Sequence, residues 1–355
     1  MEKLRIAILG QGRSGRDIHG KFLSDDKSGK YEIVCVAEPM QRRRERAKEE
    51  YNCTAVADYK ELFARKDIDL VVNATPSHLH PPVTEEFLDH GFNVLCEKPF
   101  ARTAAQVDSM ITAAKRNGKL LAVFQQSRFA PYFVQIKKIL ESGVLGRIIQ
   151  IAIQFDGYGR RWDWQCCNEF CGGNLYNTGP HPMDQALHLL NYPYMPQVFC
   201  RMDRVNTFGD AEDFVKIILN APGRPLVDLQ ISSCNAYSDF VYHIQGSRGT
   251  LKGGLTEIKW RWFNEGEAPP QKLIKTPLCG EDDLPKYPAE ELTWHEDLWK
   301  IDGAGTFTTA VDGLYQTVYD SLTKGLPLVV TPEQVRQQIQ VMEECHRQNP
   351  FGDQL

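Results

Sequence analysis

No apolar run in this chain of 355 residues approaches the roughly 18–20 positions a membrane helix needs, so no helical span is expected. Basic charge is not in excess. Forty-one Lys and Arg are set against 46 Asp and Glu, a net charge of −5, which leaves no electrostatic footprint for nucleic acid. Internal repeats, low-complexity tracts and a long acidic tail are all lacking. The N-terminus does not show the charged, apolar and small-residue segments of a secretory signal in order. Met1 leads almost at once into the strand-like run Leu4–Leu9, and the expected location is the cytoplasm. Cysteine is present ten times but is scattered. The one cluster, Cys166-Cys167 with Cys171, has no second spaced Cys/His pair nearby to complete a four-ligand zinc site. The thiols therefore read as free and partly buried, with no metal expected.

What is present is an ordinary globular composition, 42% hydrophobic and 25% charged. The length exceeds what one core organises, so two domains are expected. A buried strand, Leu4–Leu9, runs straight into Gly10-Gln11-Gly12-Arg13-Ser14-Gly15 and then into a helical segment. This is G-x-G-x-x-G with a strand before it and a helix after it. The first glycine permits the turn, the second lets a pyrophosphate approach, and the third lets helix and strand pack. The helix N-terminus adds free N–H groups for phosphate. The next strand, Tyr31–Ala37, ends at Glu38, where a carboxylate can accept from the adenosine ribose hydroxyls. That favours NAD. Arg42, Arg43 and Arg44 just downstream read as a solvated helix face, and one of them facing a 2′-phosphate is the route by which NADP stays open.

The alternation continues with a helix at 59–65, a strand at 68–73, a helix at 81–90, a strand at 92–96, a helix at 103–117 and a strand at 119–124. Strands alternating with helices at this spacing make a doubly wound parallel sheet, which binds ligands beyond the carboxyl ends of its strands. Gly10 to Gly15, Glu38, Thr75-Pro76 and Glu97-Lys98 all fall at those ends. His78 and His80, at a helix start, fit capping or contact with the nicotinamide ribose. After about residue 125 a helix at 130–142 gives way to strands at 147–155, 198–206, 214–219, 226–232, 240–245 and 258–263. No helices intervene, so this second sheet is mostly antiparallel. Helices at 308–324 and 332–348 close the chain, and 265–291 reads as a long loop.

The second half carries one polar constellation. Positions four apart share a helix face, so a helix extended backwards aligns Asn177, His181 and Asp184 or Gln185. His181 is then a candidate base with polar neighbours to orient its ring. Pro180 and Pro182 confine this to a first turn or a break. Upstream, Arg160-Arg161-Trp162-Asp163-Trp164 suits sugar binding, with aromatic faces on C–H patches. Core or interface packing of Trp162 and Trp164 is the competing reading.

Together these motifs resemble the Gfo/Idh/MocA oxidoreductase family over nearly the whole chain. The resemblance rests on Gly10 to Gly15, Ala74-Thr75-Pro76 with His80, Glu97-Lys98-Pro99, Arg128-Phe129-Ala130-Pro131, and Gly179-x-His181-x-x-Asp184. It implies an α/β protein: an N-terminal Rossmann domain (1–124) and a C-terminal α+β domain (125–355) with a large, open, mostly antiparallel sheet. Helix 332–348 is expected to pack back on the first domain. It implies a homodimer or homotetramer through that sheet, and NAD as cofactor. Gly10, Gln11, Gly12, Arg13, Ser14, Gly15, Glu38, Thr75, Pro76, His80, Glu97 and Lys98 are the expected cofactor set. Arg128, Trp162, Trp164, Asn177 and Asp184 are the expected substrate set, for a sugar or polyol.

Lys98 maps to the family's lysine beside the nicotinamide and His181 to its proton-accepting histidine. Inositol-dehydrogenase-like members carry Asp four residues before that His; Asn177 stands there in this chain. Asn cannot stabilise an imidazolium by charge, which leaves Asp184 to orient His181, or Lys98 to carry more of the proton transfer. Two alternatives accompany the dehydrogenase reading. One is redox-neutral glycoside cleavage or epimerisation with NAD kept bound. The other is a non-catalytic regulator, which intact Lys98 and His181 argue against and Asn177 argues for.

Overall fold

The computed structural model describes residues 3–191, 194–303 and 305–350. Among them, six strands form one parallel sheet: β1 (Leu4–Leu9), β2 (Tyr31–Ala37), β3 (Thr54–Val56), β4 (Leu70–Asn73), β5 (Val94–Cys96) and β6 (Leu121–Val123), in the spatial order β3-β2-β1-β4-β5-β6. Helices α1 (Lys21–Asp25), α2 (Gln41–Tyr51), α3 (His80–Asp89) and α4 (Ala104–Asn117) provide crossovers. The helical stretch Arg13–Gly20 leads directly into α1. The segment expected to be helical at 59–65 is a tighter 3₁₀ run, Tyr59–Ala64, opened by a capping box of Asp58 and Glu61.

Register decides what this sheet presents. Leu9 pairs with Ala37 and Asn73, Asn73 with Cys96, and Cys96 with Val123. Gly10, Glu38, Ala74, Glu97 and Phe124 therefore emerge as the next row, at one edge of the sheet. The strands are apolar on both faces because both are covered. One face is covered by α8 (Thr306–Lys324), from the far end of the chain. Its Val311, Leu314, Tyr315 and Val318 are buried against Ile6, Ile8, Val36 and Leu95.

The second sheet contains eight strands among the described residues, in the order β16-β13-β12-β11-β7-β10-β9-β8. These are β7 (Ile148–Asp156), β8 (Gln197–Asp203), β9 (Phe214–Asn220), β10 (Leu226–Ser232), β11 (Tyr242–Gly246), β12 (Gly249–Gly253), β13 (Glu257–Trp262) and β16 (His295–Lys300). Among the described residues of this sheet, only β7 and β10 pair in parallel. Strands β12 and β16 escaped the sequence reading. One is bracketed by glycines, and the other, His-Glu-Asp-Leu-Trp-Lys, is an edge strand made by its pairing with β13. The long loop contains a small hairpin of β14 (Leu278–Cys279) and β15 (Pro285–Lys286).

Helices α5 (Pro131–Glu141), α6 (Asn174–Asn177), α7 (Pro180–Leu190) and α9 (Pro332–Gln348) complete the fold. Glu343 of α9 accepts the backbone N–H of Ala104 at 3.0 Å, and Arg336 pairs with Asp108, so α9 lies against α4. Its other end holds β8, where Gln348 accepts from the Cys200 backbone N–H at 2.7 Å. No helix among the described residues is long and apolar enough to cross a membrane.

Candidate active site

The cofactor edge is built by backbone. Gly10 has φ of +88°, and a Cβ there would stand 2.6 Å from the carbonyl of Ala74. A Cβ on Gly15 would stand 2.0 Å from the carbonyl of Gly10. Both positions tolerate only glycine without a shift. A Cβ on Gly12 would meet nothing within 4 Å, so the loop is open above its centre, where a pyrophosphate would rest on the first-turn N–H groups of Arg13–Gly20. Glu38 is buried, and its Oε2 accepts from the backbone N–H of Gln11 at 2.8 Å while Oε1 accepts from that of Met40 at 3.0 Å. Arg43 and Arg44 are not a plain solvated face. Arg43 reaches Glu38 Oε2 at 3.6 Å, and Arg44 donates to the Glu38 carbonyl at 2.8 Å.

His80 is a latch. Its ring nitrogens lie 2.7 Å from the Pro99 carbonyl and 3.0 Å from the Thr75 carbonyl, which ties the Thr75-Pro76 turn to the loop after β5. Burial pushes its proton affinity down, against the pull of those carbonyls and of Glu97. Thr75 itself donates to Asn73 at 2.7 Å. His78 packs its ring on Phe170 at 5.1 Å, and Trp164 meets Phe170 edge-on at 6.3 Å. The Arg160–Trp164 loop is thereby docked over the cofactor edge.

Lys98 follows β5 through Glu97 and precedes a cis peptide bond to Pro99. Its Nζ donates to the backbone carbonyl of Asn177 at 2.8 Å, so the two halves of the chain meet at the amine. Burial pushes Lys98 below its ordinary value; Glu97 opposes the shift, and Arg13 and Arg161 add to it. Of the two outcomes that Pro180 and Pro182 allow, the chain takes the break, not a helix running back through Asn177. The segment consists of α6, a turn at Thr178-Gly179, and α7 opening with Pro180, so Asn177 contributes its carbonyl, and its side chain makes no hydrogen bond among the described residues.

His181 sits in the first turn of α7 with Nδ1 3.3 Å from Ser127 Oγ. Ser127 is itself held by Gln185, whose amide donates to its carbonyl at 2.9 Å. Burial, followed by the charge of Lys98, holds His181 at about 3, so its ring is neutral at pH 7. Sequence reasoning missed Ser127. It lies just before Arg128, but no spacing rule connects it to a histidine 54 positions away.

Arg128 and Asp184 require a correction. They are buried against each other, and Asp184 pairs with Arg128, not with His181. The Arg128 guanidinium binds the Asp184 carboxylate in a two-pronged pair, with Nε to Oδ2 at 2.9 Å, and a third nitrogen donates to Gln334 at 2.8 Å. Both side chains are nearly inaccessible, at 4% and 2% exposed. Burial pushes Asp184 up, and Arg128 pulls against it. The pair clasps the turn after β6, α7 and α9 together. Trp162 is 78% exposed and stands away from the packed ring pair Trp164–Phe170.

A cavity of about 410 Å³ opens beside α6, lined by Gln154, Asp156, Asn174, Thr178, Ser232 and Ser233 among others. Its polar lining comes from the ends of β7 and β10. Asp156 accepts from Gln230 at 2.7 Å and Asn235 at 2.9 Å through one oxygen, while the other is buried without a partner among the described residues. A second cavity, of about 250 Å³, lies at the opposite edge of the first sheet near Leu4, Asp69 and Asn93, remote from this chemistry. No group of three or more His, Cys, Asp or Glu able to hold a metal occurs among the described residues.

Residues 4–125 match an oxidoreductase family model with an NAD-binding Rossmann fold, and residues 133–252 match the GFO/IDH/MocA C-terminal domain. The chain belongs to the Gfo/Idh/MocA oxidoreductase family. Its first half is an NAD-binding Rossmann unit, and the open glycine loop and Glu38 fit that cofactor. The chain is 32% identical to an uncharacterized oxidoreductase, C115.03, of Schizosaccharomyces pombe, covering 71% of each chain. It is 27% identical to scyllo-inositol 2-dehydrogenase (NADP(+)) IolW of Bacillus subtilis, over 97% of this chain and 93% of that one. The NAD-binding protein of Listeria innocua superposes with a TM-score of 0.80 at 21% identity, over 98% of this chain and 97% of that one.

Proposed function

We propose that this protein is a dehydrogenase that oxidises a secondary hydroxyl of a sugar or polyol with NAD. The observation that carries the reading is that Lys98, held by the Asn177 carbonyl at 2.8 Å, lies near enough for its charge to bear on the neutral ring of His181 in the next helix. When bound, the nicotinamide supplies the hydride acceptor. Lys98 has donors left over after Asn177 is satisfied, and these hold the substrate oxygen and favour its developing negative charge. His181 takes the hydroxyl proton at Nε2 while Ser127 holds Nδ1. The cavity beside α6 mixes apolar walls with Asp156, Asn174, Thr178 and Ser232, groups able to meet a ligand's hydroxyls. Similarity to the scyllo-inositol 2-dehydrogenase IolW supports an inositol-like substrate.

In this reading residues 1–124 form the cofactor domain and 125–355 the substrate domain, whose open sheet face, carrying the exposed Phe199 and Leu298, joins copies of the chain into a dimer or tetramer in the cytoplasm. NAD is preferred to NADP because a 2′-phosphate would meet the Glu38 carboxylate. Thermal unfolding with each cofactor checks this, and NAD is expected to raise Tm more.

The deciding experiment supplies purified protein with NAD⁺ and a panel of inositols and sugars and follows NADH absorbance. NADH formed with a polyol or sugar supports the proposal, and none across the panel overturns it. Product formed from a sugar with no net NADH marks redox-neutral use of the bound cofactor instead.

A further inference from the structure

His19 is fully buried in the helical stretch after the glycine loop, and its ring joins groups far apart in the chain. Nδ1 lies 2.8 Å from Tyr315 Oη on α8, and Nε2 lies 3.2 Å from Glu97 Oε1. One proton pattern satisfies all three without a charge on the ring: the tyrosine hydroxyl donates to Nδ1, and Nε2–H donates to the carboxylate. Phe124 packs against the ring at 4.4 Å. The second oxygen of Glu97 accepts the backbone N–H of Lys98 at 3.0 Å. The string of contacts thus starts on a helix from the end of the chain and stops at the residue that bears the amine.

A buried carboxylate is costly unless its lone pairs are filled. Here one oxygen is filled by His19 and the other by the Lys98 peptide. Cradling a pyrophosphate needs none of this, because the glycine loop is made of backbone. The polar arrangement therefore calls for a reason at its other end, and that end is Lys98.

We propose that Tyr315–His19–Glu97 is a buried positioning relay, which holds the Glu97 carboxylate in one rotamer beside Lys98 and so tunes the amine that meets the substrate. The inference rests on the reading of Lys98 given above. Lys98 is faced by Glu97 from its own loop, by Arg13 from the glycine loop, by Arg161 from the loop before α6 and by His181 from α7. Glu97 is faced by His19, Lys98 and His80, and Tyr315 by Tyr31 and Glu97. Glu97 is the anion among the groups that bear on the amine. If its charge or its placement is lost, burial and the two arginines act unopposed, and the amine gives up its proton more easily.

The test titrates Lys98 itself in the full-length protein, by competitive acetylation with acetic anhydride from neutral to alkaline pH, read at Lys98 by mass spectrometry. Glu97→Gln and His19→Leu are expected to lower the titration midpoint by about one pH unit, a roughly tenfold change in proton affinity. Tyr315→Phe, which removes one oxygen, shifts it the same way by less. His19→Gln, whose amide can still donate to Glu97, stays near the parent midpoint. An unchanged midpoint in folded Glu97→Gln and Tyr315→Phe overturns the relay and leaves His19 a packing residue. If His19→Leu does not fold, those two variants decide. Retained NADH formation in Lys98→Ala would instead remove the reading of Lys98 while the titration shifts stood.

Discussion

At the cofactor edge the site is made of backbone from one short segment, and at the substrate edge it is made of side chains from several. Gly10, Gly12 and Gly15 lie within a single turn, and their geometry follows from the absence of Cβ atoms. His181 depends on Ser127, Ser127 on Gln185, and α7, which carries His181 and Gln185, on a buried Arg128–Asp184 clasp. Lys98 belongs to both edges: it leaves the first sheet, and its amine is held by the Asn177 carbonyl. A motif of local backbone shape works wherever its strand and helix exist. A constellation of side chains works only if every supporting contact forms, so it is the more easily broken by changes at a distance.

Replacing Lys98 by Ala should separate the two edges most sharply. Turnover is expected to fall by about two to three orders of magnitude, the usual cost of removing a donor to a developing oxyanion. NAD affinity, measured by calorimetry, should stay near that of the parent. Next in size is the clasp. Arg128→Ala leaves Asp184 buried without its partner and should cost about 3–5 kcal/mol of unfolding free energy in urea. Loss of much less would mean that the substrate edge does not depend on it. Gly15→Ala strikes the other edge. Its Cβ would meet backbone at 2.0 Å, so a destabilisation of about 1–3 kcal/mol is expected, with NAD binding weakened more than the fold. If cofactor affinity survives, the loop is not the rigid cradle described.

The smallest effect concerns pH. Glu212 is buried, accepts the Leu175 N–H at 2.8 Å through one oxygen, and has no partner for the other among the described residues. Burial, with Asp213 and Asp210 adding to it, pushes it up to about 7. A carboxyl raised in the folded state contributes stability that is whole below its unfolded value and is lost as pH rises through its folded value. The Glu212 contribution to Tm should therefore shrink as pH rises from the ordinary carboxylate range to about 7, and the Tm difference between Glu212→Gln and the parent should change with pH over that window. Because Glu212 anchors the first residues of α6, an equal slope in the variant would show that the substrate edge does not feel this charge. His181, His188 and His346, held by burial at about 3, 4 and 4, act the opposite way. Their stability is whole above the ordinary imidazole value and is lost as pH falls below it towards those values.

Much of the cofactor half was legible because its rules are short-range. The row Gly10, Glu38 and Glu97 could be read from strand ends alone, and the register of the sheet puts them on one edge. The substrate half was legible only in its residue types. His181 and Lys98 could be named from the motif they share with a family, but their partners could not. Asp184, three residues from His181, pairs instead with Arg128, 56 positions away. Asn177 was weighed by its side chain, and the structure uses its carbonyl. His19 and Tyr315 lie 296 positions apart and carried no signal of their own.

By itself the sequence determined the glycine loop, the alternation that makes the first sheet parallel, the acid at the end of β2 and the lysine at the end of β5. These follow from Cβ sterics, hydrophobic periodicity and chain order, which act over a few residues. Only the tertiary structure decided which side chain meets which. It chose the break that Pro180 and Pro182 had left open, giving α6 and α7, paired Arg128 with Asp184, and brought α8 back to the cofactor half to set Tyr315 against His19. The reason is that a buried polar group must find a partner wherever the packed chain supplies one, and that choice is made in space, after the elements have formed.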